Sequence, residues 1–195
     1  MEELLRSAAE NQAKAWEVIR DNGIIAAWES VGAGVNLVGS LKTGLLMKHR
    51  DIDFHIYSNP LRLADSFRAV ETIAEHPGVR QVKFVNLAAT EEACFEWHVQ
   101  IAGRDGELWT VDMIHIQRGS RYDGWFEKVA ERICELMTPE QKQTILHLKN
   151  ETPDSEKIMG IEYCQAVIRD GVRSYPEFAA WRKANPVNGI VQWMP

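Results

Sequence analysis

The sequence is poor in cysteine, with three in 195 residues and no CxxC pair among them. Cys94, Cys134 and Cys164 lie far apart and are odd in number. A disulfide framework or a zinc knuckle needs paired or closely spaced cysteines, so neither is expected. The three side chains are therefore interpreted as buried free thiols.

Long hydrophobic runs are also absent. No apolar stretch approaches the roughly 20 residues that a helix needs to cross a bilayer. The N-terminal segment, residues 1–6, is acidic and amphipathic, which is not the pattern of a secretory signal peptide. These absences lead us to expect a cytoplasmic protein without a membrane partner.

Basic residues are in deficit, since 22 lysines and arginines stand against 28 aspartates and glutamates and give a net charge of −6. Proteins that bind nucleic acid need a broad basic surface to displace counterions, so nucleic acid is not the expected partner. A small molecule is expected instead, and the sequence leaves a homo-oligomer open.

Residue patterning predicts a mixed β-sheet of about five strands within residues 1–120. Amphipathic spacing indicates a first helix over residues 3–21, and Asn59-Pro60 is expected to open a helix that runs to about Glu75. The strand-like runs are residues 35–38, 51–57, 79–87, 93–101 and 107–116. Trp16, Trp97 and Trp109 are expected in the core.

A helical region is predicted over residues 121–195. Its helices are expected over residues 122–136, 139–150, 155–170 and 176–184. Thr138-Pro139 and Thr152-Pro153 are interpreted as helix starts, because a capping residue precedes a proline in each. The fold class is therefore α+β, with a sheet flanked by helices and then a helical C-terminal part.

The residues with the clearest chemical content are Gly39-Ser40 and, after ten intervening residues, Asp51 and Asp53. The two aspartates are two apart on a strand, so their carboxylates point to the same side. Like charges this close cost free energy unless a cation lies between them, and carboxylate oxygens suit Mg²⁺. A Gly-Ser turn lets the backbone approach a phosphate closely.

This arrangement resembles the signature of the DNA polymerase beta-like nucleotidyltransferase superfamily. That signature is an apolar residue, Gly, Gly or Ser, a gap of this length, then Asp, an apolar residue and a second acidic residue. The resemblance covers roughly residues 24–116 and implies a nucleotidyltransferase-type sheet. Asp112 matches the superfamily's third carboxylate, so the resemblance implies that Asp51, Asp53 and Asp112 bind two Mg²⁺ ions, with a nucleoside triphosphate such as ATP as co-substrate.

Other polar residues have candidate roles beside this motif. Gly39 and Ser40 are expected to bind phosphate, although Ser40 could simply cap the following helix. A basic cluster between the turn and the carboxylates is expected to supply one or two triphosphate contacts, with a solvated basic face as the alternative. Its members are Lys42, Lys48, His49 and Arg50. Glu96 and His98 share one strand face, and either could be the catalytic base, with Glu96 taken as the candidate and an ordinary exposed sheet face as the alternative.

The short, acidic chain is similar in plan to the aminoglycoside and lincosamide nucleotidyltransferases. This resemblance implies transfer of a nucleoside monophosphate from a triphosphate to a hydroxyl of a small-molecule acceptor, such as an antibiotic. Two alternatives stay open. One is a nucleotidyltransferase that modifies a protein, as the antitoxin half of a toxin–antitoxin pair, and the other is a non-catalytic nucleotide-binding scaffold.

Overall fold

The computed structural model describes residues 2–187 and 189–195, so Met1, the first residue of the N-terminal segment interpreted above, lies outside the described residues. The strands are β1 (Gly34–Val38), β2 (Asp51–Ser58), β3 (Val79–Asn86), β4 (Cys94–Ala102) and β5 (Leu108–Gln117). The helices that precede or interrupt them are α1 (Glu2–Asp21), α2 (Ile24–Glu29), α3 (Gly39–Lys42) and α4 (Leu63–Ala74). The later helices are α5 (Trp125–Leu136), α6 (Pro139–Glu151), α7 (Gly160–Cys164, continued as a π-helical turn to Arg169) and α8 (Tyr175–Ala184). No helix among the described residues is long and apolar enough to cross a membrane.

The five strands form one mixed sheet in the order β1-β2-β5-β4-β3. β2 and β5 run parallel, and every other neighbouring pair is antiparallel. The hairpin between β4 and β5 closes where the Gly103 N–H donates to the Glu107 carbonyl at 2.8 Å. The predicted α+β sheet is confirmed, with each strand within two residues of its expected ends.

One face of the sheet carries the main hydrophobic core. Alternate residues of β2, such as Ile52, Phe54 and Ile56, are at most 1% exposed and pack in one cluster with residues of α1, α2 and α4. Trp97 and Trp109 lie in the same cluster at 2% and 1% exposure, as predicted. The opposite face of the sheet, called the polar face below, is therefore free to carry the functional side chains.

A second hydrophobic cluster joins the C-terminal helices to the earlier part of the chain. It contains buried residues of α5, α6, α7 and α8 together with Ala8 of α1 and Leu45 and Met47 of the loop before β2. The C-terminal helices consequently pack beside the loop that follows the Gly39-Ser40 turn. This packing brings α6 to the candidate site.

Four local predictions were wrong, and one of them is the burial of Cys134, whose thiol is exposed. Trp16 is 38% exposed, because the buried stripe of α1 runs through Ala8, Ala15 and Ile19 instead. Thr152 ends α6 and does not begin a helix, since its N–H and hydroxyl both donate to the Leu148 carbonyl.

The predicted helix over residues 155–170 accordingly begins only at Gly160. The helix expected from Asn59-Pro60 begins at Leu63, since the Leu61 N–H donates to the side chain of Gln117 at 2.8 Å. By contrast, the helix start at Thr138-Pro139 is confirmed by a capping box between Thr138 and Gln141.

Candidate active site

The strand register brings the predicted carboxylates together on the polar face. Asp53 on β2 pairs with Asp112 on β5, and Asp112 pairs with His98 on β4. These three residues, called the carboxylate row below, cross the sheet side by side. Asp51 lies two residues before Asp53 on β2. Glu96 lies two residues before His98 on the antiparallel strand β4, so it is on the opposite side of the row from Asp51.

Asp53 sits in an unfavourable environment for a charged carboxylate. Burial raises its pKa to about 7, with further contributions from Asp112 and Asp51, while Lys149 and the Ser40 backbone N–H act in the opposite direction. Asp51 is exposed at the edge of the site, yet burial of its carboxyl group and the charge of Asp112 also raise its pKa. A nearby cation would stabilise the charged form of both carboxylates and lower their pKa.

The Gly39-Ser40 turn closes directly onto Asp53. Gly39 has φ +67°, and a Cβ atom at this position would overlap Oδ2 of Asp53. The backbone N–H of Ser40 donates to the Asp53 carboxylate. Glycine is therefore required twice here, for its left-handed backbone and for the missing side chain.

Lys149 is a site residue that the sequence analysis missed. Its ammonium group is buried, with 8% of the residue exposed, and donates to Ser40 Oγ at 2.7 Å and to the Leu45 carbonyl at 3.0 Å. Burial lowers its pKa, and the opposing effects come from Cys164, Asp53 and Asp51 in that order. The signal was present in α6, where Lys149 stands one turn after the fully buried Ile145.

His98 connects Asp112 to Glu96. Its Nδ1 lies 2.8 Å from Asp112 Oδ1, and its Nε2 lies 3.6 Å from Glu96 Oε2. Asp112, His98 and Glu96 therefore form a line of neighbouring side chains along the polar face, with Asp112 and Glu96 at its ends. The first contact is a hydrogen bond, whereas the second is a longer ionic approach.

The donor set of Asp51, Asp53 and Asp112 fits Mg²⁺. All three offer carboxylate oxygens, the ligands that Mg²⁺ prefers, and burial followed by the like charges of Asp112 and Asp51 raises the pKa of Asp53. Their ligand atoms do not all lie within 4.8 Å of one another, a condition that only Glu92, Cys94 and Glu96 meet among the described residues. Asp112 contacts His98 at 2.8 Å, and the Ser40 backbone forms a hydrogen bond with Asp53.

The four residues of the predicted basic cluster do not lie together in the structure. Lys48 and Arg50 line a cavity of about 360 Å³ beside Asp51, together with His49. Lys42 is exposed on α3 and does not line this cavity.

Both cavity cations already have partners. Lys48 donates to the Thr152 carbonyl at 2.5 Å and pairs with Asp154 at 2.8 Å. Arg50 lies 3.4 Å from Glu107, although its Nε is buried without a hydrogen-bond partner.

The polar face of β2 is covered towards the C-terminal end of the strand. His55 and Tyr57 are buried at 9% and 1% exposure, because α5 packs over them with Phe126 and Glu127. Burial lowers the pKa of His55, and Glu127 opposes this shift. Next to His55 lies a cavity of about 120 Å³, lined by side chains of β4, β5 and α5.

Comparison with known proteins supports the fold. No family model matches the chain, and no curated protein matches it. Among solved structures, a cytoplasmic RNA terminal U-transferase is similar at 14% identity and a TM-score of 0.53 over 86% of this chain. The Cid1 poly(U) polymerase bound to MgGTP is similar at 16% identity and a TM-score of 0.54 over 85% of this chain. The GLD-2–GLD-3 poly(A) polymerase complex is similar at 13% identity and a TM-score of 0.52 over 96% of this chain.

These similarities define the fold and its extent. The chain spans 51%, 55% and 61% of the lengths of the three solved chains, respectively. The likeness to these solved structures extends over 85–96% of this chain and agrees with the predicted α+β fold. Their names describe enzymes that act on RNA or make polynucleotides, so they do not support the small-molecule branch.

Proposed function

We propose that this protein is a magnesium-dependent nucleotidyltransferase that moves a nucleoside monophosphate from a nucleoside triphosphate to a hydroxyl group of a small-molecule acceptor. One observation carries the proposal. Asp53 lies between Asp51 and Asp112 and against the Gly39-Ser40 turn, where burial and the two carboxylates raise its pKa to about 7. A non-catalytic scaffold would gain nothing from three carboxylates held at this cost.

We assign Mg²⁺ binding to the three carboxylates and part of the phosphate binding to the helical region. Asp51, Asp53 and Asp112 would hold two Mg²⁺ ions, which when bound neutralise charge on the phosphates and the departing pyrophosphate. We infer that residues 1–120 form the nucleotidyltransferase core, and that residues 121–195 contribute to phosphate binding through Lys149.

Ser40 and Lys149 are suited to hold the triphosphate. The Lys149 ammonium has three donors, of which two are used on Ser40 and Leu45, so one remains for a phosphate oxygen. Lys149 also fixes the Ser40 hydroxyl beside the glycine turn. Gly39, Lys42, Lys48 and Arg50 supply the remaining proposed contacts with the triphosphate.

Transfer then needs an oriented hydroxyl and a route for its proton. The acceptor oxygen forms a bond to the α-phosphorus while the bond between that phosphorus and the pyrophosphate oxygen breaks. The hydroxyl proton is taken up by Glu96, which we assign as the base and which lies beyond His98 from Asp112. The contact of 2.8 Å between His98 and Asp112 fixes the orientation of that carboxylate.

RNA is a second candidate acceptor. The fold is shared with an RNA terminal U-transferase, and the cavity beside Asp51 contains Lys48 and Arg50. A small molecule is favoured because the chain has a net charge of −6, which opposes binding of a long polyanion. No comparable observation favours a protein acceptor.

A transfer assay separates these acceptors. The protein is incubated with Mg²⁺ and nucleoside triphosphates labelled at the α-phosphate, with amino alcohols and aminoglycosides in one series and oligoribonucleotides in another. Label on a small molecule, lost in Asp53→Asn, supports the proposal. Label only on RNA makes RNA the acceptor, and no transfer in either series contradicts the assignment of the small-molecule reaction.

A further inference from the structure

We propose that the polar face at the open edge of the sheet binds the acceptor, and that this acceptor is a small molecule with several hydroxyls and one anionic group. The inference rests on the proposed function, because it identifies the class of molecule that would receive the nucleotide. The surface is called the acceptor shelf below. Its members are Gln81 and Lys83 of β3, Gln100 of β4 and Thr110 of β5.

The sheet register joins the acceptor shelf to the proposed metal-binding carboxylates. The carboxylate row, which runs from Asp53 through Asp112 to His98, continues to Lys83 on the edge strand β3. A second row runs beside it from the other aspartate to the same edge. Its members are Asp51, Thr110, Gln100 and Gln81.

The shelf side chains point away from the hydrophobic core. Between the two polar rows lies a row of apolar residues, of which Ile52, Val99 and Val111 are 0% exposed. Because side chains alternate between the faces of a sheet, the polar rows project from the opposite face. Gln81 and Lys83 of the shelf are exposed, whereas its other two members are half-buried.

The polar groups of the shelf are free to bind a ligand. Across residues 2–187 and 189–195, the side chains of Gln100 and Thr110 make no hydrogen bond to another protein group, although both are half-buried. By contrast, Asn36, Tyr57 and Gln117 elsewhere on the sheet all bond to protein groups. Amide and hydroxyl groups both donate and accept hydrogen bonds, so they suit a ligand with several hydroxyls.

The charge of the shelf favours an anionic group on that ligand. Among the described residues, no carboxylate oxygen lies within 4.0 Å of the Lys83 ammonium group, whereas Lys14 and Lys48 pair with Asp105 and Asp154. An unpaired cation on this surface attracts an anion. It would repel a polycationic acceptor such as an aminoglycoside.

Neighbouring elements define the two sides of the shelf. On one side, α5 covers the polar face beyond the carboxylate row, where Phe126 packs on His55 with ring centroids 5.0 Å apart. On the other side, Thr110 also lines the cavity of about 360 Å³ beside Asp51. The shelf therefore adjoins the cavity that contains Lys48 and Arg50, so nucleotide and acceptor would meet at the aspartates.

The strand spacing sets the expected size of the acceptor. Lys83 is two strands away from Asp112 in the sheet order. Neighbouring strands are about 4.8 Å apart, so the anionic group and the reacting hydroxyl should be separated by no more than about 10 Å. A six-carbon polyol chain meets this condition.

The test compares three six-carbon polyols that differ only at one end. Gluconate has a carboxylate there, sorbitol a hydroxyl and glucamine an ammonium group. Binding is followed by ligand-observed NMR in Mg²⁺. We expect wild type to bind gluconate at least fivefold more tightly than sorbitol or glucamine, and Lys83→Gln to remove this preference. Gln100→Leu should weaken gluconate and sorbitol alike, by about fivefold.

Arg80→Gln is the matched control for removal of a positive charge. Arg80 is exposed on the same strand and donates to the Pro77 carbonyl at 2.6 Å, so this variant should keep the preference for gluconate. Equal binding of the three polyols, or equal losses in Lys83→Gln and Arg80→Gln, would overturn the acceptor shelf. A short oligoribonucleotide that binds through Lys83 and Gln100, in a protein that does not bind gluconate, would assign the surface to RNA and also overturn it.

Triphosphate binding in Mg²⁺ is measured on the same samples, so the two proposals can fail separately. Gluconate and sorbitol also join the small-molecule series of the transfer assay. Triphosphate binding without a preference for gluconate would overturn the acceptor shelf alone. Gluconate binding that depends on Lys83, in a protein that binds no triphosphate, would support the shelf and contradict the nucleotidyltransferase assignment.

Discussion

At the scale of single residues, the proposed chemistry depends on how Asp53 is held. Burial, then Asp112 and Asp51, raise its pKa from 3.8 to about 7. The folded, metal-free protein therefore binds this proton more tightly than the unfolded chain does. The stability gained from the protonated carboxyl is fully present below about pH 4, and it is lost as the pH rises through about 7.

Replacing Asp53 with asparagine should remove this pH dependence. In EDTA, we expect wild type to lose roughly 2–3 kcal/mol of unfolding free energy from this group between pH 5 and pH 8. Asp53→Asn has no such titration and should be the more stable protein at pH 8. Urea unfolding at both pH values measures the difference. Asp65→Asn, on α4, is the control and should keep the wild-type slope, whereas an unchanged slope in Asp53→Asn would contradict the buried-carboxylate account.

The Gly39 backbone gives a second prediction at this scale. Gly39→Ala should lose at least tenfold in triphosphate affinity and roughly 1–3 kcal/mol in stability, because its Cβ would overlap Asp53 Oδ2 at φ +67°. Gly106→Ala is the matched control, since Gly106 has φ +79° but open space around the added carbon. The control should lose only about 1 kcal/mol and bind triphosphate normally. Calorimetry and urea unfolding measure both effects, and equal behaviour of the two variants would rule out a special role for the turn.

At the scale of elements, α6 links the helical region to the glycine turn. Lys149 reaches Ser40 across 109 residues of sequence and is otherwise surrounded by buried side chains. Its long side chain places the ammonium group of an α6 residue against the turn that is proposed to bind phosphate. This link also explains why the cluster formed by the C-terminal helices includes Leu45, beside the turn.

Lys149→Met should therefore weaken triphosphate binding while the fold is kept. Methionine fills a similar volume and removes the buried charge, so we expect a loss of about tenfold to a hundredfold in affinity and little loss of stability. Lys142→Met, two turns earlier on α6, is the control for charge removal from the same helix. Calorimetric titration with the triphosphate in Mg²⁺ measures both variants. Wild-type affinity in Lys149→Met would show that this lysine does not contact the phosphates.

Some secondary-structure elements could be predicted from sequence patterns alone, and others could not. The alternation of β2 and the fixed gap from Gly39 to Asp51 depend on local geometry, so the strand and the carboxylate pair could be predicted. Thr152-Pro153 could not be interpreted correctly, because a threonine before a proline occurs both where helices begin and where they end. The contact between Lys149 and Ser40 depends on tertiary packing, which no local pattern encodes.

At the scale of the whole molecule, the position of each element around the sheet decides which polar residues can act together. The order β1-β2-β5-β4-β3 places Asp112 between Asp53 and His98, an arrangement that requires β5 to insert beside β2. The resemblance to the superfamily motif implied that Asp112 lies beside Asp53, whereas hydrophobic periodicity alone did not. The packing of α5 over His55 and Tyr57 was not predicted, because it depends on where a helix far along the chain packs.

The most direct test of the central claim is calorimetric titration of wild type and Asp53→Asn with ATP, GTP, CTP and UTP, with and without Mg²⁺. The account predicts that wild type binds at least one triphosphate only when Mg²⁺ is present, and that Asp53→Asn loses this binding while remaining folded. If wild type binds no triphosphate with Mg²⁺, or if Asp53→Asn binds as tightly as wild type, the three carboxylates are not the metal-dependent nucleotide site proposed for this protein.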